Sequence, residues 1–247
     1  MEVSLAKKGI EKVKPPLAIV GTAESYDQTP WDDETVEKWC VATLLTKPDI
    51  GEVDRVFELH PRRYWGLPHV LEKYEELKVP IYMQDHYEEI PTSVKFPRDE
   101  IKEKFWHQSM GNNLFVTNTI TWMILCALYE GYTDISLYGV HMAHDTEYGY
   151  QNASCSWALG MIQGWIVQGL PYKLYITEES SLLKARYEYG FDEPTKLMRK
   201  IQREMQQMKK GLDDANKKMA DLNKKKEQTE GAITYANLLH DYLMGYK

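Results

Sequence analysis

The stretch Leu17-Ala18-Ile19-Val20-Gly21-Thr22-Ala23 decides the predicted fold. Four consecutive apolar residues end at a glycine that is followed by two small residues. A short, continuous apolar run indicates a strand that is buried on both faces, as strands of a parallel sheet are. We therefore expect a β-strand that leads into a turn of small residues. Residues 1–15 read as a charged tail that Pro15-Pro16 separates from the fold.

Short strands and helices alternate along the next part of the chain. The β-prone runs are residues 56–59, 81–83, 135–138 and 173–176. The helical stretches are 67–77, 119–130 and 156–168, with Gly131 and Gly169 at C-cap positions. This alternation predicts an α/β fold: a Rossmann-like domain over residues 16–190, with a mostly parallel sheet and helices on both faces.

The segment 191–247 differs in composition and is rich in Lys, Gln, Glu, Met and Leu. Its apolar residues are spaced alternately by three and four residues, which is typical of a coiled-coil seam. The seam comprises Met198, Ile201, Met205, Met208, Leu212, Ala215, Met219 and Leu222, and it resumes at Ile233 after Lys226 and Thr229. The pattern predicts a helical coiled-coil-like segment that is one long helix or two helices hinged near residues 224–231. It either joins copies of the chain into a homo-oligomer or folds back on its own domain.

Composition narrows the class of protein. A net charge of −7 and a pI near 5.6 argue against a protein that coats nucleic acid. Cys40, Cys126 and Cys155 lack CxxC spacing, so we predict buried thiols and neither a disulfide framework nor a zinc site. The sequence shows no signal-peptide pattern, and its most apolar run, residues 120–129, is too short to span a bilayer. We expect a cytoplasmic protein without a membrane span.

Ligands of open parallel sheets bind beyond the carboxyl ends of the strands. The first candidate loop there is Gly21, Thr22, Ala23 and Glu24, whose amides and hydroxyls could cradle a phosphate or a sugar, although it matches neither GxGxxG nor a Walker A loop. The second loop carries His60 and Arg62, which could hold an anionic ligand. The alternative for this second loop is an N-cap loop with solvated arginines.

Two further polar clusters follow. One precedes the helix at residue 119 and contains Asn113, Thr117 and Asn118; Thr117 or Asn118 is the expected N-cap. The other follows the strand 135–138 and supplies acids, bases and phosphate donors. Its members are Gly139, His141, His144, Asp145, Glu147, Tyr148 and, further on, Gln151. It lacks the helical HExxH pattern, so no metal site is predicted, and for each histidine an ordinary hydrogen-bonded loop residue remains the alternative.

The segment from Val116 to Met142, with Gly131-Tyr132 and the strand ending in Gly139-Val140, resembles a known motif. It is similar to the turn, helix, strand and loop of Rossmann-like bacterial sialyltransferases and the related DUF115 proteins. Very similar segments occur in uncharacterised tailed-phage proteins, in which Glu147-Tyr148 and Gln151 continue the motif. The resemblance implies that the polar turn and the loop bind a cytidine nucleotide, and that Tyr148 donates to the leaving phosphate.

The chain departs from that family at several positions. His141 replaces the aspartate of the motif, and Ala143 stands where a second tyrosine is expected. The insertion with the catalytic histidine is missing, because only a short connection is expected between Tyr148 and a helix beginning near Ser156. The first turn also lacks the family's Asn-Gly-Pro-Ser-like sequence. Either His144 or His141 therefore acts as the base, or the domain binds a nucleotide-like ligand without sialyl transfer.

The leading hypothesis is a glycosyltransferase-like enzyme, phage-encoded as the resemblance implies, that uses a nucleotide-activated donor without metal or other cofactor. Arg62 and the turn amides would hold phosphate, Asn118 and Thr117 the nucleotide, and Tyr148 the leaving oxygen. One alternative is a non-catalytic protein that binds and sequesters a nucleotide or another small molecule. The other is an oligomeric structural or scaffolding phage protein.

Overall fold

The computed structural model describes residues 14–65, 68–105, 115–142, 145–185, 188, 191 and 196–245, with backbone alone for 68–71, 145–148 and 196–197. Most of the expected charged tail lies outside the described residues. Contacts between Cα atoms divide the chain into two units, Met1–Lys184 and Ala185–Lys247.

The first unit contains a seven-stranded sheet in which every pair of neighbouring strands is parallel. The strands are β1 (Leu17–Val20), β2 (Glu37–Val41), β3 (Arg55–Glu58), β4 (Ile81–Met83), β5 (Ser93–Lys95), β6 (Asp134–Tyr138) and β7 (Lys173–Ile176). Their order is β5-β4-β3-β2-β1-β6-β7. The chain winds outward from β1 to β5 and then returns to the other side of β1. The winding therefore reverses between β1 and β6, which is where such sheets bind ligands.

Four helices accompany the sheet: α1 (Pro68–Glu76), α2 (Arg98–Phe105), α3 (Thr119–Glu130) and α4 (Asp145–Val167). Helix α3 has the predicted bounds because its ends are chemically marked. The side chain of Asn118 caps its start, and Gly131, with a φ of 89°, takes up the left-handed conformation after its end. The predicted Rossmann-like α/β fold is confirmed.

Several element predictions were wrong or incomplete. Helix α4 begins at Asp145 and not near Ser156, so Asp145, Glu147 and Tyr148 lie in a helix and not in a loop. Its first half looked like a loop because it is polar, but its polar groups bond to the segment before α3: Ser154 Oγ donates to the carbonyl of Phe115 at 2.6 Å. Strands β2 and β5 and helix α2 were not predicted, because their sequences are short and interrupted by charged residues.

The two faces of the sheet carry separate apolar cores, as alternating side chains of buried strands require. Leu17 and Ile19 of β1 pack into the core on the face covered by α2, α3 and α4. Ala18 and Val20 point to the other face, which is covered by α1 and the 3-10 turn Ala42–Thr46. Each large apolar side chain buried in this way stabilises the fold by about 1.5–3 kcal/mol.

A charged cluster joins the amino ends of β2 and β3 to the end of α3. Arg55 Nε lies 3.1 Å from Glu37, and its Nη1 lies 2.7 Å from Glu130. The guanidinium stacks 4.4 Å from the ring of Trp39, and only 17% of the Arg55 side chain is exposed. The two carboxylates raise the pKa of Arg55 against the opposing effect of burial, so the cluster keeps its charge. The cluster links β2, β3 and α3 at the amino edge of the sheet, opposite the carboxyl ends of the strands.

The second unit contains α5 (Lys196–Leu243), a single helix of 48 residues. Of the two alternatives, the structure has the long helix and not the hinged pair. Every side chain described from Met198 onward is exposed, including the apolar seam. No helix within the described ranges combines the length and apolar character needed to cross a membrane.

Candidate functional site

Two glycine turns meet where the winding of the sheet reverses. Ala23 N donates to the carbonyl of Gly139 at 2.8 Å, and Gly21 N donates to the carbonyl of Tyr138 at 2.8 Å. A Cβ atom on Gly21 would lie 2.4 Å from the carbonyl oxygen of Gly139. Gly139 has a φ of 61°, in the left-handed region that favours glycine. The two backbones are therefore in direct contact and form a floor without side chains.

A cavity of about 820 Å³ lies above this floor, at the carboxyl ends of β1, β2, β3 and β6. The first turn of α3 and the start of α4 form its other wall. Its lining comprises Gly21, Thr22, Ala23, Val41, Thr43, Leu59, His60, Val116, Thr117, Asn118, Thr119, Ile120, Trp122, Gly139, Val140, His141, Met142 and Gln151. No Asp, Glu, Lys or Arg is among these described residues, although the chain carries a net charge of −7. The cleft is lined by neutral groups and two histidines.

The start of α3 presents its backbone to the cleft. Asn118 is the N-cap: its Oδ1 accepts from Thr121 N at 2.8 Å and its Nδ2 donates to the carbonyl of Gln151 at 3.1 Å. Thr117 Oγ1 donates to the carbonyl of Tyr150 at 3.0 Å. The amides of Thr119 and Ile120, in the first helical turn, have no acceptor within the helix. These backbone amides are therefore donors that the helix leaves available at this wall.

The loop after β6 is held in place by three serine side chains. These bonds run from Gly139 N to Ser25 Oγ at 3.2 Å, from Ser180 Oγ to Val140 O at 2.7 Å, and from Met142 N to Ser181 Oγ at 3.0 Å. His141 is therefore carried on a fixed backbone at the wall of the cleft. Ser180 and Ser181 were not predicted as site residues, because they act on a loop distant in sequence.

A buried carboxylate supports the histidine on the other side of the cleft. Glu58, at the end of β3, is 6% exposed. Its Oε1 accepts from His60 N at 3.0 Å and contacts His60 Nδ1 at 2.7 Å, while its Oε2 accepts from the hydroxyl of Tyr74 at 2.9 Å. Burial, followed by the charge of Glu58, raises the pKa of Tyr74, so its hydroxyl keeps the proton that it donates. Because carboxylate oxygens accept, His60 Nδ1 is the donor, which leaves the lone pair on Nε2 in the neutral ring.

Glu58 was missed at the sequence level. The available signal was a carboxylate inside an otherwise apolar strand, Val56-Phe57-Glu58-Leu59, two residues before a histidine. A buried carboxylate is unusual unless it is hydrogen-bonded, as it is here.

The structure brings most of the predicted site residues to one cleft. These are Gly21, Thr22, Ala23, His60, Thr117, Asn118, Gly139, His141 and Gln151. Glu24 is exposed at the start of a 3-10 turn and is not part of the lining, and Arg62 forms an ion pair with Glu89 at 2.7 Å outside it. Arg62 is therefore engaged by a carboxylate and does not line the cleft. The predictions for Asn113 and His144 lie outside the described residues, as do the side chains of Asp145, Glu147 and Tyr148.

The chain matches no protein-family model and no curated protein. Among the solved structures that resemble it are three of the sialyltransferase CstII from Campylobacter jejuni. The complex with the substrate analogue cytidine-5'-monophosphate (CMP) has a TM-score of 0.46 and 16% identity, covering 74% of this chain and 96% of that one. The complex with CMP-3FNeuAc has a TM-score of 0.42 and 14% identity, covering 65% and 79%. The complex of CST-II with a trisaccharide acceptor and CMP has a TM-score of 0.41 and 14% identity, covering 65% and 80%.

Proposed function

We propose that this chain is a glycosyltransferase-like enzyme that binds a nucleotide-activated sugar at the carboxyl edge of its sheet and needs no metal. The observation that carries the proposal is the cavity of about 820 Å³ between a glycine floor and the start of α3. A volume of this size accommodates a ligand as large as a nucleotide.

Electrostatics favour an anionic ligand in this cleft. The start of a helix is equivalent to about half a positive charge, and the amides of Thr119 and Ile120 extend this field into the cavity. A phosphate group bound there would meet no carboxylate among the described lining residues. Trp122, partly buried at the same wall, offers an aromatic edge or face to a base or a sugar ring.

The proposed roles follow from this arrangement. The phosphate lies against the turn Gly21-Thr22 and the first turn of α3, near the floor formed with Gly139. Tyr148, near the start of α4, donates to the leaving phosphate oxygen. His141 and His144, which follow β6, are the candidate bases that the sequence suggests. The source of the chain in a tailed phage and its cytoplasmic location belong to the same proposal.

Incubation with CMP-sialic acid tests transfer against simple binding. An enzyme releases CMP, which ³¹P NMR detects, and the rate stays unchanged with EDTA because the proposed stabilisation uses amides and hydroxyls. A sequestering protein binds the same probe and returns it intact. Failure of CMP and other nucleotides to bind at all would contradict both interpretations.

We propose a second function for α5, in which it pairs in parallel with the α5 helix of a second copy of the chain. Its seam is exposed in the single chain, with Leu212 at 61% and Leu222 at 65% exposure. Parallel heptads place Glu204 opposite Lys209 of the other copy, and Lys225 opposite Glu230. Both pairs have opposite charge.

The interruption of the seam is compatible with this pairing. Lys226 occupies a seam position, where two like charges would face each other in a parallel pair. Glu230 of the same helix lies 3.7 Å from its ammonium group and offsets that repulsion. A polar residue at one seam position fixes the register of a coiled coil at some loss of stability.

Sedimentation velocity tests the pairing. The double variant Leu212→Lys and Leu222→Lys places charges in the seam and should convert the oligomer to a monomer. The control, Gln207→Lys and Ala220→Lys, adds the same charges off the seam and should leave the oligomer intact. A wild-type chain that sediments as a monomer at micromolar concentration would contradict the proposal.

A further inference from the structure

We infer that His60, held by Glu58, accepts the proton of the acceptor hydroxyl. The inference rests on the proposed function, because it needs a nucleotide-activated sugar in the cleft. It assigns the base to the β3 side of the site, whereas the sequence suggested His141 or His144 on the β6 side.

The imidazole of His60 is oriented more firmly than its exposure suggests. Its side chain is 60% exposed, but Glu58 accepts from both its backbone amide and its Nδ1. The indole of Trp65 donates to the carbonyl of His60 at 2.9 Å, which fixes the backbone from the other direction. A base that is oriented by a buried carboxylate through Nδ1 presents its Nε2 lone pair to the substrate.

Tyr74 completes the support from α1. Its hydroxyl donates to the second carboxylate oxygen of Glu58 at 2.9 Å. Both carboxylate oxygens are therefore hydrogen-bonded in the apolar core beneath the cleft. A carboxylate in this setting stabilises the imidazolium that forms when Nε2 takes a proton.

The position of His60 suits an acceptor and not the nucleotide. Strand β3 lies three steps from β6 in the sheet, at about 4.8 Å per step, so His60 lies roughly 14 Å from the loop that carries His141. A donor whose phosphate sits between β1 and β6 leaves the space above β2 and β3 for the second substrate. The lining there, Val41, Thr43 and Leu59, contains no competing titratable group.

The donor, the acceptor and His60 together account for every bond and proton in the reaction step. The acceptor oxygen forms a bond to the anomeric carbon of the sugar as its proton passes to Nε2 of His60. The bond from that carbon to the phosphate oxygen breaks, and its electron pair remains on the departing nucleotide phosphate. His60 becomes an imidazolium that faces Glu58.

The inference sets the sign of a pH dependence. His60 must be neutral to accept the proton, so the protonated form of His60 is inactive and acid lowers turnover. Glu58 from β3 contacts its Nδ1, Tyr74 from α1 contacts Glu58, and the ring of Tyr64 lies 6.4 Å from the imidazole ring. His141 is the one other titratable side chain among the described lining residues.

Nitrogen NMR tests the geometry without requiring turnover. Long-range ¹H–¹⁵N correlations, assigned by comparison with His60→Gln, should show the Nδ1–H tautomer in the neutral imidazole of His60. Glu58→Gln should shift the population toward Nε2–H. A wild-type His60 in the Nε2–H tautomer would overturn the inference.

Turnover of CMP-sialic acid with an alcohol or sugar acceptor tests the role. His60→Gln should lower kcat by about 10²–10³, within the range of general-base catalysis, while CMP affinity measured by calorimetry changes less than about threefold. The acidic limb of the pH profile should disappear. The control is His86→Gln, which should keep wild-type turnover. His86 lies on a loop, where its ring hydrogen-bonds to Ser93.

A wild type that releases CMP no faster than His60→Gln does would overturn the inference alone. Failure of the proposed function is a different outcome, in which the wild type releases no CMP.

Discussion

At the scale of single residues, the site depends on where side chains are absent. Gly21 and Gly139 let the ends of β1 and β6 touch, and a Cβ on either would collide with the backbone of the other. Gly21 was predicted as part of a ligand turn, because an apolar run that ends in glycine is readable in the sequence. The contact between Gly21 and Gly139 was not predicted, because it joins residues that are far apart in the chain.

We predict opposite effects for two glycine substitutions. Gly21→Ala should lower the free energy of unfolding by about 1–3 kcal/mol, because its Cβ would lie 2.4 Å from a backbone oxygen that cannot move away cheaply. Gly160→Ala, on the exposed side of α4 with no atom within 4 Å of its Cβ, should raise it by about 0.5–1 kcal/mol. Urea denaturation measures both, and equal effects would refute the account of the glycine floor.

At the scale of elements, α3 and α4 form the wall of the site together. Capping residues and alternating apolar runs are local signals, so α3, β1, β4 and β7 could be predicted from the sequence with nearly correct bounds. The start of α4 could not, because its polar residues are satisfied by the segment preceding α3, through bonds such as Ser154 to Phe115. Strand β2 was hidden for a similar reason: Lys38 is buried, and its ammonium group donates to two backbone carbonyls.

The charged cluster at the amino edge should contribute strongly to stability. Arg55→Met leaves Glu37 and Glu130 without their shared cation, so we expect a loss of about 3–5 kcal/mol in the free energy of unfolding. Arg98→Met is the matched control. Arg98 is 59% exposed and its ion-pair partner Asp99 is exposed too, so its loss should change stability by less than about 0.5 kcal/mol. Similar midpoints for the two variants in urea would contradict this assignment.

At the scale of the whole molecule, the buried core should protect all three cysteines. Burial raises the pKa of Cys40 to about 12 and that of Cys155 to about 11, and it raises the pKa of Cys126 as well. The thiolate is the reactive form, so the native protein should not react with Ellman's reagent at pH 8. The unfolded protein should titrate three thiols. Rapid reaction of any thiol in the native state would show that the core opens easily.

The α/β fold and the long C-terminal helix could be predicted from periodicity, because strands alternating with helices and a heptad seam are both local patterns. The chemistry was readable only in part. The convergence of Gly21, Asn118 and His141 follows from the rule that parallel strands end at one edge. The Glu58–His60 pair and the serine supports depend on side-chain packing, which spacing does not encode.

The central claim is that an anion binds between the glycine floor and the start of α3, and calorimetric titration of CMP tests it most directly. Thr119→Glu places a carboxylate at the first residue of α3, where it favours the helix but repels a phosphate. Gln163→Glu adds the same charge on the exposed face of α4, about 18 Å along the helix from Gln151. We predict that the wild type and Gln163→Glu bind CMP alike and that Thr119→Glu binds at least tenfold more weakly. Equal affinities for the two variants, or no heat from the wild type with CMP or other nucleotides, would contradict the account.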